Sequence, residues 1–85
     1  MGAMTTDSLE SEVLEIAEGR RLISDRGQEI REGARISRLE AGKAVGAGQT
    51  TIWRWETGQR TPRGEAARRY GHLLRQLDKV AQSDG

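Results

Sequence analysis

Residues 37–62, SRLEAGKAVGAGQTTIWRWETGQRTP, predict two short helices separated by a turn. Ser37 and Glu40 have the spacing of a capping box. In this motif the serine side chain accepts a hydrogen bond from the glutamate amide, and the glutamate side chain accepts one from the serine amide. A helix is therefore predicted over residues 38–45.

The second helix follows a turn that contains glycine. Gly46 can adopt the left-handed conformation that ends a helix, and residues 46–48 interrupt the helical pattern. A new helix is predicted to run from 49 to 56 and to stop at Thr57. Two short helices around a tight turn form a helix-turn-helix arrangement, which here covers residues 37–57.

The segment before this motif shows apolar residues at helical spacing and no strand-like alternation. Residues 8–34 are expected to form two helices, of which the first has an acidic outer face. The expected break lies near Gly19 or around Ser24 and Asp25.

The segment after the motif predicts a long last helix. Thr61 is expected to cap it and Pro62 to lie in its first turn, where the missing amide has no cost. Its apolar face comprises Ala66, Tyr70, Leu73, Leu74, Leu77 and Val80. The predicted fold is all-α: a compact bundle of about five helices that contains the helix-turn-helix, an acidic N-terminal helix and a long C-terminal helix.

The 85 residues predict one domain over residues 5–80. Residues 1–4 are interpreted as an expression scar before a native start at Met4, and residues 81–85 as a frayed tail.

Several classes of site are not expected from the composition. The chain has no cysteine and one histidine, so neither a metal site nor a cofactor is predicted. The sequence shows no nucleophile paired with His72, so no enzyme activity is expected. No apolar run approaches the ~20 residues of a membrane span, and no signal peptide is visible, so we expect a cytoplasmic protein with no membrane partner.

Charge is distributed unevenly along the chain. Residues 1–19 contain five acidic residues and no basic one, whereas all 14 basic residues, 12 of them arginine, follow. Arginine suits phosphate and guanine edges, so the basic part is a candidate nucleic-acid surface. The acidic helix is expected either to pack on the bases of the last helix or to act as a dimerisation or self-inhibitory arm.

Residues 31–74 resemble the Cro/CI-type helix-turn-helix DNA-binding domains of phage repressors and related bacterial transcriptional regulators. The most similar stretch is 46–62, which includes the Glu-x-Gly-x-x-x-Pro ending. The resemblance implies a protein that binds double-stranded DNA in the cytoplasm of a bacterial or phage-infected cell.

The resemblance implies that the second helix of the motif reads bases in the major groove. Gln49 and Thr50 open this helix and Arg54 lies one turn further, so the three can face one groove. Glutamine can bond bidentately to adenine, arginine to guanine, and threonine can offer its hydroxyl or methyl group. Trp53 either contacts a thymine methyl or sugar or covers a domain edge. Ile52 and Trp55 are expected in the core.

A second group is implied to contact the DNA backbone, and it sets register and affinity without reading sequence. Its members are Ser37, Arg38, Gly48, Thr57, Arg60 and Arg63. Arg31 and Glu56 match a pair that forms a partly buried structural ion pair in the family.

The chain departs from the family pattern at small residues. Gly48 replaces the usual Ser or Thr cap, Ala41 replaces Leu, and Gly27 replaces a larger apolar residue. We interpret these residues as making room for Trp55, because cores conserve total volume better than identity.

The first functional hypothesis is a sequence-specific transcriptional regulator or phage-type repressor. An alternative is a DNA-binding antitoxin or accessory protein whose acidic N-terminal helix binds a protein partner. A further alternative is a protein-interaction module that does not bind DNA, in which Leu9, Val13 and Ile16 form the binding surface. The sequence leaves open whether the chain forms a homodimer on DNA.

Overall fold

Four α-helices make up the part of the chain that the computed structural model describes, which is residues 2–83 for the backbone and 9–83 for the side chains. This part contains no strand, and none of its helices is long and apolar enough to cross a membrane. Met1 and residues 84–85 of the expected tail lie outside it. The helices are α1 (Gly2–Gly33), α2 (Arg38–Val45), α3 (Gln49–Glu56) and α4 (Gly64–Ser83).

The expectation of about five helices is wrong for the described residues, because α1 is continuous. The expected break near Gly19 or around Ser24 and Asp25 is absent. Gly19 is buried against α4, whereas Ser24 and Asp25 are exposed on the outer side. A glycine inside a helix costs about 1 kcal/mol of helix propensity, and tertiary packing of the helix overrides a cost of that size.

The last helix also differs from the prediction at both ends. It begins at Gly64, after three residues without regular secondary structure, so Thr61 does not cap it and Pro62 is not in its first turn. It ends at Ser83 rather than near Val80. Hydrogen bonds from Gln82 to Asp78 (3.1 Å) and from Ser83 to Lys79 (3.0 Å) stabilise this last turn.

The bounds of α2 and α3 agree with the prediction. The Ser37 hydroxyl accepts from the Glu40 amide at 3.0 Å, and the Glu40 carboxylate accepts from the Ser37 amide at 2.9 Å. Gly46 ends α2 with a left-handed φ of 82°. A Cβ on Gly42 would lie 2.3 Å from the Ala47 carbonyl oxygen, so the tight return of the chain after α2 requires glycine there.

The core lies where all four helices meet. α1 packs along α4 and against α3, and α2 packs against α3 and α4. Ile52 and Trp55 are buried, as predicted, and the Trp55 ring stacks on Tyr70 with 6.4 Å between ring centroids. The buried hydrophobic residues are Ile23, Ile30, Ala41, Val45, Ile52, Trp55, Ala67, Tyr70 and Leu74.

The space left by the missing side chain at Gly27 is filled by residues other than Trp55. A Cβ at this position would lie closest to Leu74, Glu56 and Ile23. The space that Gly27 leaves is therefore used by α4 and by the Glu56 side chain.

Residues 9–18 of α1, called the arm below, contribute little to this core. Leu9, Val13 and Leu14 are 57%, 64% and 61% exposed. On another side of the arm, Glu12 and Glu15 line a groove together with basic residues of α4: Arg68, Arg69 and Arg75. The arm therefore lies beside the basic face of α4, with Ile16 half-buried in the groove and Leu9, Val13 and Leu14 exposed.

α1 and α4 touch through their backbones at two glycines. A Cβ built on Gly71 would lie 2.9 Å from the Gly19 Cα atom, which is closer than such atoms approach in proteins. Because the obstructing atoms are backbone, they cannot rotate away. This contact sets how closely the two long helices approach.

We expect Gly71→Ala to lower the free energy of unfolding by about 1–3 kcal/mol, since the added methyl must push the helices apart. Urea denaturation followed by circular dichroism measures this. Gly33→Ala is the matched control, because a Cβ there meets nothing within 4 Å. Equal stability of Gly71→Ala and the wild type would show that the helices are not held at this contact.

Candidate functional site

α3 has two chemically different faces. Ile52, Trp55 and Glu56 are buried against the other helices. Gln49 and Arg54 are exposed on the outer side.

Two further residues of α3, Thr50 and Trp53, are exposed together with Gln49 and Arg54. Thr50 lies one turn before Arg54 and is exposed, so the two side chains share one side of the helix. Trp53 is 37% exposed and lies four residues after Gln49. The structure thus brings together all four residues that were predicted to read bases. The opposite face of α3 packs against the core and holds this helix in place.

Two of the residues predicted to contact the DNA backbone use their hydroxyls to fix helix ends. Ser37 forms the capping box at the start of α2. The Thr57 hydroxyl donates to the Trp53 carbonyl oxygen at 2.8 Å and closes the last turn of α3. Gly48 precedes α3 and provides no side-chain cap, so the first amides of α3 lack such a partner.

The other predicted backbone-contacting residues are basic and surround α3. Arg60 and Arg63 are exposed and line a cleft beside α3, together with Thr51, Trp55 and Thr61. Arg38 lies at the start of α2, and its side chain remains 34% exposed.

Glu56 is the centre of a buried polar network. Its carboxylate accepts two hydrogen bonds from Arg31, at 2.8 and 3.0 Å, in a bidentate ion pair whose side chains are 6% and 0% exposed. It also accepts from Arg38 Nε at 3.3 Å and from the Tyr70 hydroxyl. Arg31 donates in addition to the Ile36 carbonyl oxygen at 2.8 Å. The network therefore connects all four helices.

The network determines the charge state of its members. Burial by itself raises the pKa of Glu56, but hydrogen bonds from Arg31 and Tyr70 and the Arg31 charge outweigh burial and hold that pKa below its ordinary value. The hydrogen bond with Glu56 raises the pKa of Arg31. Burial and the hydrogen bond to Glu56 raise the pKa of Tyr70. The ionised carboxylate and the neutral phenol are therefore the stable forms at neutral pH.

Three parts of this region were not predicted from the sequence. Tyr70 was assigned only to an apolar face, Arg38 only to the DNA backbone, and Thr51 to no role. A signal existed for Tyr70, because the hydroxyl of a buried tyrosine usually needs a hydrogen-bond partner. Nothing local to Arg38 indicates its bond to Glu56, which lies 18 residues away.

The described residues contain no group of three or more acidic or histidine side chains placed to hold a metal ion. His72 is exposed on α4 and lines the groove beside the arm, rather than the cleft beside α3.

We expect Glu56→Gln to lower the free energy of unfolding by about 3–5 kcal/mol, because it leaves the buried Arg31 charge without its counter-ion. Urea denaturation at pH 7 measures the loss. Glu29→Gln serves as the control, since it removes the same charge from a solvent-exposed ion pair with Arg26 and should barely change the midpoint. Similar midpoints for the two variants would show that the network does not stabilise the fold.

The lowered pKa of Glu56 also predicts a dependence of stability on pH. The contribution of ionised Glu56 to the free energy of unfolding is complete above the ordinary glutamate pKa of 4.5. It is lost as the pH falls through the lowered pKa of Glu56 in the folded protein. The difference in unfolding free energy between wild type and Glu56→Gln should therefore shrink as the pH is lowered from 7 to 3. Urea titrations across this range test it, and a difference that stays constant would contradict it.

No match to this chain was found among protein-family models, curated proteins or solved structures.

Proposed function

We propose that the chain binds double-stranded DNA in a sequence-specific manner and acts as a transcriptional regulator of the phage-repressor type. In this proposal α2, the turn at residues 46–48 and α3 act as a helix-turn-helix, and α3 enters the major groove. The observation that supports it most is the two-faced character of α3, which has a buried face fixed by Ile52 and Trp55 and an exposed polar face.

The exposed face of α3 has the chemistry needed to read base edges. Gln49 can form a bidentate pair with adenine, Arg54 with guanine, and Thr50 can contact either a polar edge or a thymine methyl. Trp53 provides apolar surface beside them. Each well-placed bidentate contact discriminates between bases by about 1–3 kcal/mol.

The surroundings of α3 suit the phosphate backbone. Arg60 and Arg63 lie on the loop after α3, Arg38 lies at the start of α2, and the uncapped amides after Gly48 can donate to a phosphate. Arg38 can bind Glu56 and a DNA phosphate at the same time. Its bond to Glu56 uses Nε, and the side chain that carries its terminal nitrogens is partly exposed.

Glu56 has a structural role in this proposal. Its ion pair with Arg31 and its bond to Tyr70 attach the end of α3 to α1 and α4. Arg31, Glu56 and Tyr70 therefore hold the reading helix in place without contacting DNA. Ser37 and Thr57 act in a similar way by fixing helix ends.

Selection of the full chain against a pool of random duplex DNA at about 150 mM salt tests the proposal. We expect an enriched motif for the wild type. Arg54→Ala should lose a guanine preference at one position, at a cost of about 1–3 kcal/mol on the preferred sequence. Arg75→Ala, which removes an exposed arginine from α4, is the matched control and should retain the motif.

A second variant separates base reading from backbone contact within the same experiment. Arg60→Ala should weaken binding to all sequences about equally and reduce the salt dependence by about one phosphate contact, without changing the motif. Absence of any enriched motif for the folded wild-type chain would refute sequence-specific binding.

A further inference from the structure

The outer face of α1 carries a short stripe with its own pattern of charge. Glu10, Leu14, Ala17 and Arg21 follow one another at spacings of four, three and four residues, so they lie along one side of the helix. All four are exposed, and Leu14 is 61% exposed. The stripe has an acid at one end, a base at the other and apolar residues between them.

The stripe lies on the side of α1 away from the core. The contacts with α4 use Gly19, Ile23 and Gly27, which are buried. These residues lie on the opposite side of the helix from Leu14 and Arg21 at about 100° per residue. Val13, 64% exposed, widens the apolar part of the outer face. Folding of one chain therefore leaves this face uncovered.

We infer that the stripe binds the same stripe of a second copy of the chain, with the two α1 helices antiparallel. In this arrangement Glu10 of each copy lies opposite Arg21 of the other, and Leu14 lies opposite Ala17. The two-fold symmetry makes each of these contacts twice. The small Ala17 side chain allows the helices to approach closely around Leu14.

The charges determine the orientation. A parallel pairing in register would place Glu10 against Glu10 and Arg21 against Arg21, which is repulsive at both ends. The antiparallel pairing converts both contacts into ion pairs. It also covers exposed apolar side chains of the arm. A second copy is thus the partner whose charges this stripe complements.

The contact does not depend on DNA binding, so sedimentation velocity of the full chain without DNA tests it. We expect the wild type to shift from monomer to dimer as its concentration rises. Glu10→Arg and Arg21→Glu should each weaken association about tenfold, because two ion pairs become two like-charge contacts.

An equimolar mixture of these two variants should dimerise again. In the mixed dimer the arginine introduced in one variant lies opposite the glutamate introduced in the other. The unchanged Arg21 of the first variant lies opposite the unchanged Glu10 of the second. Both ion pairs are therefore restored, and in one of them the acidic and basic residues have exchanged places.

Controls distinguish this surface from general effects of charge or folding. Glu32→Arg makes the same charge change on α1, beyond the stripe, and should leave association unchanged. Circular dichroism should show wild-type helix content for all variants, because the substituted side chains are exposed. A wild type that remains monomeric at all concentrations, or a mixture that associates no better than either variant alone, would overturn the inference.

Discussion

The buried carboxylate of Glu56 is the interaction on which the rest of the structure depends. A charge removed from water is tolerated only when its partners replace the lost solvation. Here Arg31 from α1, Arg38 from the start of α2 and Tyr70 from α4 all donate to one carboxylate at the end of α3. Every buried side-chain polar atom in the described part of the chain has a hydrogen-bond partner. The four helices therefore share one polar centre within an apolar core.

Close backbone contacts complement this centre in a chain without phenylalanine. Gly19 and Gly71 let α1 and α4 touch, and Gly42 lets the turn after α2 fold back onto the helix. Two large rings, Trp55 and Tyr70, occupy the space between α3 and α4. Small residues at crossings and large ones between them give dense packing from few apolar side chains.

α3 contributes side chains both to the core and to the exposed surface. The same eight-residue helix contributes Ile52, Trp55 and Glu56 to the interior and Gln49, Thr50 and Arg54 to the surface. Polar side chains on a helix fixed in this way lose little conformational freedom when they meet a partner, which favours specific recognition. The arm of α1 is the contrasting case, because Leu9, Val13 and Leu14 are held on a helix but are not covered.

The sequence alone determined the features that depend on residues within four positions of one another. The capping box of Ser37 and Glu40, the end of α2 at Gly46 and the two faces of α3 were all readable, because hydrogen bonds and helix periodicity act locally. Only the tertiary structure decided the continuity of α1, the start of α4 at Gly64 and the bonds of Glu56 to Arg38 and Tyr70. Gly19 weakens a helix in isolation but packs against Gly71 in the fold, and Tyr70 and Arg38 reach Glu56 from 14 and 18 residues away. Such contacts depend on how helices pack, which local spacing does not specify.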